Sequence, residues 1–267
     1  MKKVSIIAMN TLKEAIRDRI VYVTLFLMLL GLLASQVITP LTLGEQIKVI
    51  QDLSLAFMNF FSVVIVIFVG TSVIRRELDL KTIQLILSRP VRRYQFIVGK
   101  FLGMVLLDII ILFIMGAGVI LNILLIDKGI YYSMWYFHEV HYRALITAMA
   151  FMALQLVVLN AISLCFSTIA SSSVLGAIFT FFLYMVGMFT QDLNVLLKMV
   201  HTSYLTFIIT CIYYILPNLS ILDLKNQAIY GIVPNFNQAA FLVLYALLYA
   251  GFLLIVSVLL FGNKEIK

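Results

Sequence analysis

This sequence is short of charge. Only 12% of its 267 residues are Asp, Glu, Lys or Arg, whereas 63% are apolar or aromatic, and the mean hydropathy is +1.11. Soluble domains carry about 25% charged residues, and so apolar a chain in water would expose patches that no monomer can hide. That excludes a water-soluble fold and leaves a polytopic membrane protein. Cysteine is scarce too: Cys165 and Cys211 both lie in apolar runs without a CxxC partner, so they read as small buried hydrophobes. No GxxxxGK[ST] phosphate loop occurs, so the chain is not expected to bind ATP itself. Nor is there a GxSxG or a Cys/His cluster. An enzyme therefore has no catalytic residues to stand on.

A bilayer crossing needs about 20 mostly apolar residues. Six runs qualify or come close: 20–38, 53–74, 101–126, 144–169, 174–190 and 241–262. The first follows 19 residues of mixed charge and precedes five more runs, so it reads as an anchor and not a cleaved signal peptide. A seventh run, 204–216, is only 13 residues long and ends at Pro217, which fits a re-entrant or interfacial helix. The expected fold is all-α: one domain over 1–267 with six transmembrane helices.

Six spans put both termini on one side with the connectors after the second and fourth. Those pieces hold 14 of the 19 Lys and Arg; the other side keeps Lys48, Lys128, Arg143, Lys198 and Lys225. The positive-inside rule then places both termini in the cytoplasm. The basic residues are concentrated. The stretch GTSVIRRELDLKTIQLILSRPVRRYQFIVGK, residues 70–100, holds seven of them between two apolar runs. The matching position in the second half is only the Ser-rich bend STIASSS, 167–173, an asymmetry that weighs against an inverted-repeat transporter.

Within that stretch, residues 77–87 are amphipathic as a helix: Leu80, Ile83 and Leu87 share a face, and Glu77 stands four residues before Lys81. Pro90 ends the helix, and Arg89, Arg92 and Arg93 surround the stop. Two readings are open: basic residues held at anionic headgroups, or a docking surface for a partner.

The order Glu77, Lys81-Thr82-Ile83, Leu87-Ser88-Arg89-Pro90, Arg92-Arg93, Gly99-Lys100 resembles the connector of type-2 ABC exporter permeases. Lys81 departs from that pattern, which often has Gly or Ser before the Thr. The resemblance extends to nearly the whole chain. Segment 216–225, LPNLSILDLK, looks most like the permeases grouped with copper-enzyme maturation. In the family, the connector is a coupling helix that contacts a separate ATP-hydrolysing subunit. The resemblance therefore implies a prokaryotic cytoplasmic-membrane exporter subunit that pairs with a second permease copy or paralogue and with two ATPase chains. ATP and Mg would be bound by those partners; this chain would hold no cofactor and no nucleic acid.

Other features fit around that frame. Residues 4–19 form an amphipathic pattern, read as an interfacial elbow helix that anchors or also couples. The connector YYSMWYFHEVHYR, 131–143, is an aromatic belt in which His138 and His141 could share a face, though incidental histidines suit it better than a metal site. Asp108 lies inside the third span, where an acid needs a partner or a cavity; a basic partner is expected, with a role in the route or in proton movement as the alternative. Tyr204 and Pro217 mark the candidate external gate. A gradient-driven secondary transporter and a non-transporting receptor or scaffold remain as alternatives.

Overall fold

The structure, a computed structural model, describes residues 2–38, 46–79, 92–130, 141–190 and 216–262. Among them there is no strand and there are eight α-helices: α1 (Lys2–Ile16), α2 (Arg19–Ile38), α3 (Gln46–Asp79), α4 (Arg93–Ile130), α5 (Tyr142–Ile169), α6 (Ser173–Met188), α7 (Lys225–Ile229) and α8 (Phe236–Gly262). A 3₁₀ turn, Ser220–Leu222, precedes α7.

Local chemistry sets the boundaries. Asp18 separates α1 from α2, its carboxylate accepting from the Ile20 N–H at 3.1 Å as an N-cap. Ser172 opens α6 likewise, its hydroxyl accepting from the Leu175 N–H. At α8, the Gln238 side chain reaches back to the Asn235 N–H, the second half of a capping box.

Among the described residues, five helices are long and apolar enough to cross a membrane: α2, α3, α4, α5 and α8. The sixth expected span forms as a helix but falls short. α6 has 16 residues, about 24 Å at 1.5 Å per residue, against a hydrocarbon core of about 30 Å. α3 and α4 do the opposite. At 34 and 38 residues they reach about 51 and 57 Å, well past the spans expected at 53–74 and 101–126. α3 does not stop at residue 74, because Arg75, Arg76 and Glu77 are all permissive in a helix and no Gly or Pro interrupts them.

The chain then runs back and forth. α2, α4 and α6 leave one end of the bundle; α3, α5 and α8 return to it. α5 packs on α3, α4, α6 and α8, and α3 packs on α2, α4, α5 and α6. Accordingly α3 and α5 are each 61% buried over their most apolar stretch, against 28% for α2 and 22% for α8. The rim helices turn side chains such as Phe26, Leu33, Phe252 and Leu259 outward, as lipid contact requires.

α1 docks across the start of α4 on two glycines. A Cβ on Gly99 would stand 2.7 Å from Ile7, and one on Gly103 would stand 2.6 Å from the Ala8 carbonyl oxygen. Glycines four apart let two backbones approach closely where larger residues could not. Gly103→Ala is therefore expected to cost about 1–3 kcal/mol, since the clash is with backbone that cannot swing aside. Gly118→Ala, whose Cβ would meet only Leu32 at 3.4 Å, is expected to be near neutral. Thermal unfolding of the two variants in detergent checks the difference.

Candidate functional site at the basic end of the bundle

The ends of α3, α5 and α8 and the starts of α2, α4 and α6 converge with α1 at one end of the molecule, and the described charged residues of 70–100 gather there. Lys100 is the centre of this layer. Its side chain is only 3% exposed, on a helix that is otherwise mostly apolar. Its ammonium pairs with the Glu77 carboxylate from α3 and lies 3.6 Å from Glu14 of α1. It also sits 5.8 Å above the Phe96 ring, which stacks on the fully buried Phe261 of α8. An unpaired buried ammonium would cost several kcal/mol; two carboxylates and an aromatic face offset that cost.

A second pair closes the layer. Arg76, on α3 beside Glu77, donates to Asp18 at 2.8 Å and lies 3.6 Å from Glu14. Arg76 is 44% exposed, so this pair is worth little by itself; it adds a second tie between α1 and α3. Arg75 donates to the Ala170 carbonyl at the end of α5 at 3.2 Å. Arg93, in the first turn of α4, donates to the Gly262 carbonyl at the end of α8. Charged side chains thus tie α1, α3, α4, α5 and α8 together at this end.

Of the connector residues singled out in the sequence, Glu77, Arg92, Arg93, Gly99 and Lys100 are described; Leu80, Lys81, Thr82, Ile83, Leu87, Ser88, Arg89 and Pro90 lie outside the described residues. Glu77 does not open a separate helix. It stands in the last turns of α3 and takes its cation from α4. Arg92 is exposed and serves as the start of α4, its N–H donating to the Gln95 side chain and its carbonyl accepting in return from the Gln95 and Phe96 N–H groups. Glu14, Asp18, Arg76 and Lys100 were not foreseen as a group. Their signal was present, since acids on an amphipathic N-terminal helix and a lone lysine between two glycines both ask for partners.

Asp108 lies deeper. It is buried, and the Asn160 amide of α5 donates to its carboxylate. Among the described residues its partner is thus a carboxamide, where a base was expected. Asp108 is eight residues beyond Lys100, about 12 Å along α4.

At the opposite end, Asn122 ties three helices, accepting from Gln36 at 2.8 Å and donating to Ser35 and Ser54. Pro217 is buried, with its carbonyl 2.8 Å from where a Cβ on Gly187 would lie, and the Asn218 N–H donates to the Tyr245 hydroxyl at 2.8 Å. Segment 216–229 is thereby packed onto α6 and α8, and beside it lies an open cavity of about 640 Å³ whose lining includes Asp223, Gln227, Asn237 and Phe241. Tyr204 and His138 lie outside the described residues; His141 is exposed ahead of α5, its ring against Gly231, whose φ of +70° and lack of a Cβ admit it.

Five bilayer-length helices around a mostly apolar core define a multi-pass α-helical membrane protein. The model of the ABC-2 family of transporter proteins matches residues 5–266, and the chain belongs to that family. No curated protein matches the chain. Membership makes this the membrane subunit of an ABC transporter and implies an ABC ATPase as its partner.

Lys100→Met is expected to destabilise the protein by about 3–5 kcal/mol, because it removes the ammonium that stands between Glu77 and Glu14 and, among the described residues, leaves Glu14 only Arg76 at 3.6 Å. Lys100→Met combined with Glu77→Gln is expected to recover much of that loss. Thermal unfolding of the single and double variants in detergent measures the coupling; simple additivity would remove Lys100 from the centre of the layer.

Proposed function

We propose that the chain is the permease half of an ATP-driven exporter, working as a pair with two cytoplasmic ATPase subunits that bind Mg and ATP. In this reading both termini and the basic end face the cytoplasm, α6 makes a sixth crossing in a locally thinned bilayer, and α1 is the interfacial elbow. Residues 78–88, the first two of them the last residues of α3, supply the coupling helix. Leu80, Lys81, Thr82, Ile83 and Leu87 supply its contact face, with Arg89, Pro90, Arg92 and Arg93 shaping its exit. The external segment around Tyr204 and Pro217 closes the outward end of the route.

One observation carries this reading. The two helix ends that bracket residues 80–91 are bound to each other and to α1 by Glu77, Lys100, Glu14, Arg76 and Asp18. A push on the connector would therefore be delivered to α3, α4 and α1 together. A gradient-driven transporter is the second reading, favoured by a single fact, the acid Asp108 deep within α4.

The test is capture of the tagged chain in mild detergent with an ATPase assay, run beside Leu80→Asp and Glu77→Ala. A P-loop subunit is expected with the wild type, with capture or ATP-driven flux reduced roughly tenfold or more for Leu80→Asp. Glu77→Ala is expected to keep the chain in the membrane and lower flux. Wild-type transport by both variants would end the coupling assignment. Flux that persists without ATP, collapses with an uncoupler and is lost in Asp108→Asn would bring the gradient-driven reading forward.

A further inference from the structure

Among the described residues, the cations at the basic end differ in what they touch. Arg75, Arg76, Arg93 and Lys100 are all engaged by other helices or their ends. Lys13, Arg17 and Arg19 are exposed at the corner between α1 and α2, and none makes an ion pair or side-chain hydrogen bond with a described residue. The two acids of this corner are committed elsewhere: Glu14 to Lys100 and Arg76, Asp18 to Arg76. Three positive charges thus stand within seven residues without a counter-charge from the described residues.

Their depth follows from their neighbours. Tyr22, Val23 and Phe26, in the first two turns of α2 after Arg19, are each more than half exposed, and Met9 and Ile16 of α1 are exposed as well. So abrupt a passage from bare cations to bare apolar side chains matches the boundary between headgroups and acyl chains. Cations at that depth meet lipid phosphates before anything else.

We infer that the α1–α2 corner is a binding site for an anionic phospholipid, with Lys13, Arg17 and Arg19 holding the headgroup phosphate and Ile16, Tyr22 and Val23 lying along the acyl chains. The site is independent of the transport cycle proposed above. Each basic residue near a charged membrane surface contributes about 1 kcal/mol, so removing one is expected to weaken the preference roughly fivefold and removing all three on the order of a hundredfold.

The experiment uses the full-length protein in phosphatidylcholine vesicles carrying a trace of photoactivatable phosphatidylglycerol or, in parallel, of photoactivatable phosphatidylcholine. Cross-links are mapped by mass spectrometry. The phosphatidylglycerol probe is expected to label the peptide spanning residues 9–26 far more strongly than the phosphatidylcholine probe does. Lys13→Gln alone, on an exposed face, is expected to lower that labelling several-fold. The triple change Lys13→Gln/Arg17→Gln/Arg19→Gln is expected to reduce it to the phosphatidylcholine level, and the charge-keeping Lys13→Arg/Arg17→Lys/Arg19→Lys to preserve it. Equal labelling of the wild type by both probes would overturn the site. So would unchanged phosphatidylglycerol labelling in the triple Gln variant, and if that variant also loses ATPase capture, the corner is a protein-docking surface instead.

Discussion

The arrangement depends on burying one ammonium group. Lys100 is 3% exposed on an apolar helix, and a lysine there is tolerated only where carboxylates come to it. Glu77 comes because α3 continues past the hydrocarbon core to Asp79; Glu14 comes because α1 lies across α4 on Gly99 and Gly103. Neither approach is optional once the lysine is inside. The requirement fixes how far α3 projects, where α1 sits and how closely α4 accepts it. The other contacts of this end, Arg76 with Asp18 and Arg93 with the end of α8, follow from helices already in place.

The bundle's interior obeys a related rule in weaker form. Apolar side chains gain nothing from leaving lipid for one another, so helices in a membrane are fastened by close packing and by polar side chains that meet. Asn122 does this near one end with Gln36, Ser35 and Ser54, and Asp108 with Asn160 does it deeper in α4. Ser167 adds a tie from α5 to the Thr71 carbonyl at 2.7 Å. Three of these five ties end on α3 or α5, the two helices most buried over their apolar stretches, whereas α2 and α8 remain at the rim. The apolar rim is the expected face toward lipid.

Hydropathy made the helices legible, because about 20 consecutive apolar residues are at home in a bilayer and in few places besides. Their ends were not legible on the same ground. Hydropathy falls at Arg75 whether the helix stops there or projects into water, and nothing local distinguishes the two. α6 is the exception: its ends lie within two residues of the run expected at 174–190, and it stops at Met188 beside the packed segment at Pro217 to Leu219. The site residues show the same division. Glu77 was singled out, with Lys81 as its partner four residues on; an i,i+4 pair on a helix surface contributes only about 0.2–0.5 kcal/mol. A buried pair has far more at stake, and its partner, Lys100, lies on another helix. Spacing along one helix reveals the first kind of pair and is silent about the second.

That difference bears on how motion would travel. A surface pair can break and re-form while its helix bends, so a load on the connector would be dissipated in local flexing. A buried pair breaks only by leaving both charges uncompensated, at a cost of several kcal/mol. For any load smaller than that, α3, α4 and α1 move as one body at their basic end. α3 and α4 are also long enough, at about 51 and 57 Å, to carry a displacement at that end through the membrane to the Asn122 cluster at the other. What lies between, from Gly70 packed under Ser163 and Met104 to Asp108 against Asn160, is tightly packed and fastened to α5. A shift imposed at the connector would therefore be shared with α5, one of the two most buried helices of the bundle, before it reached the far side.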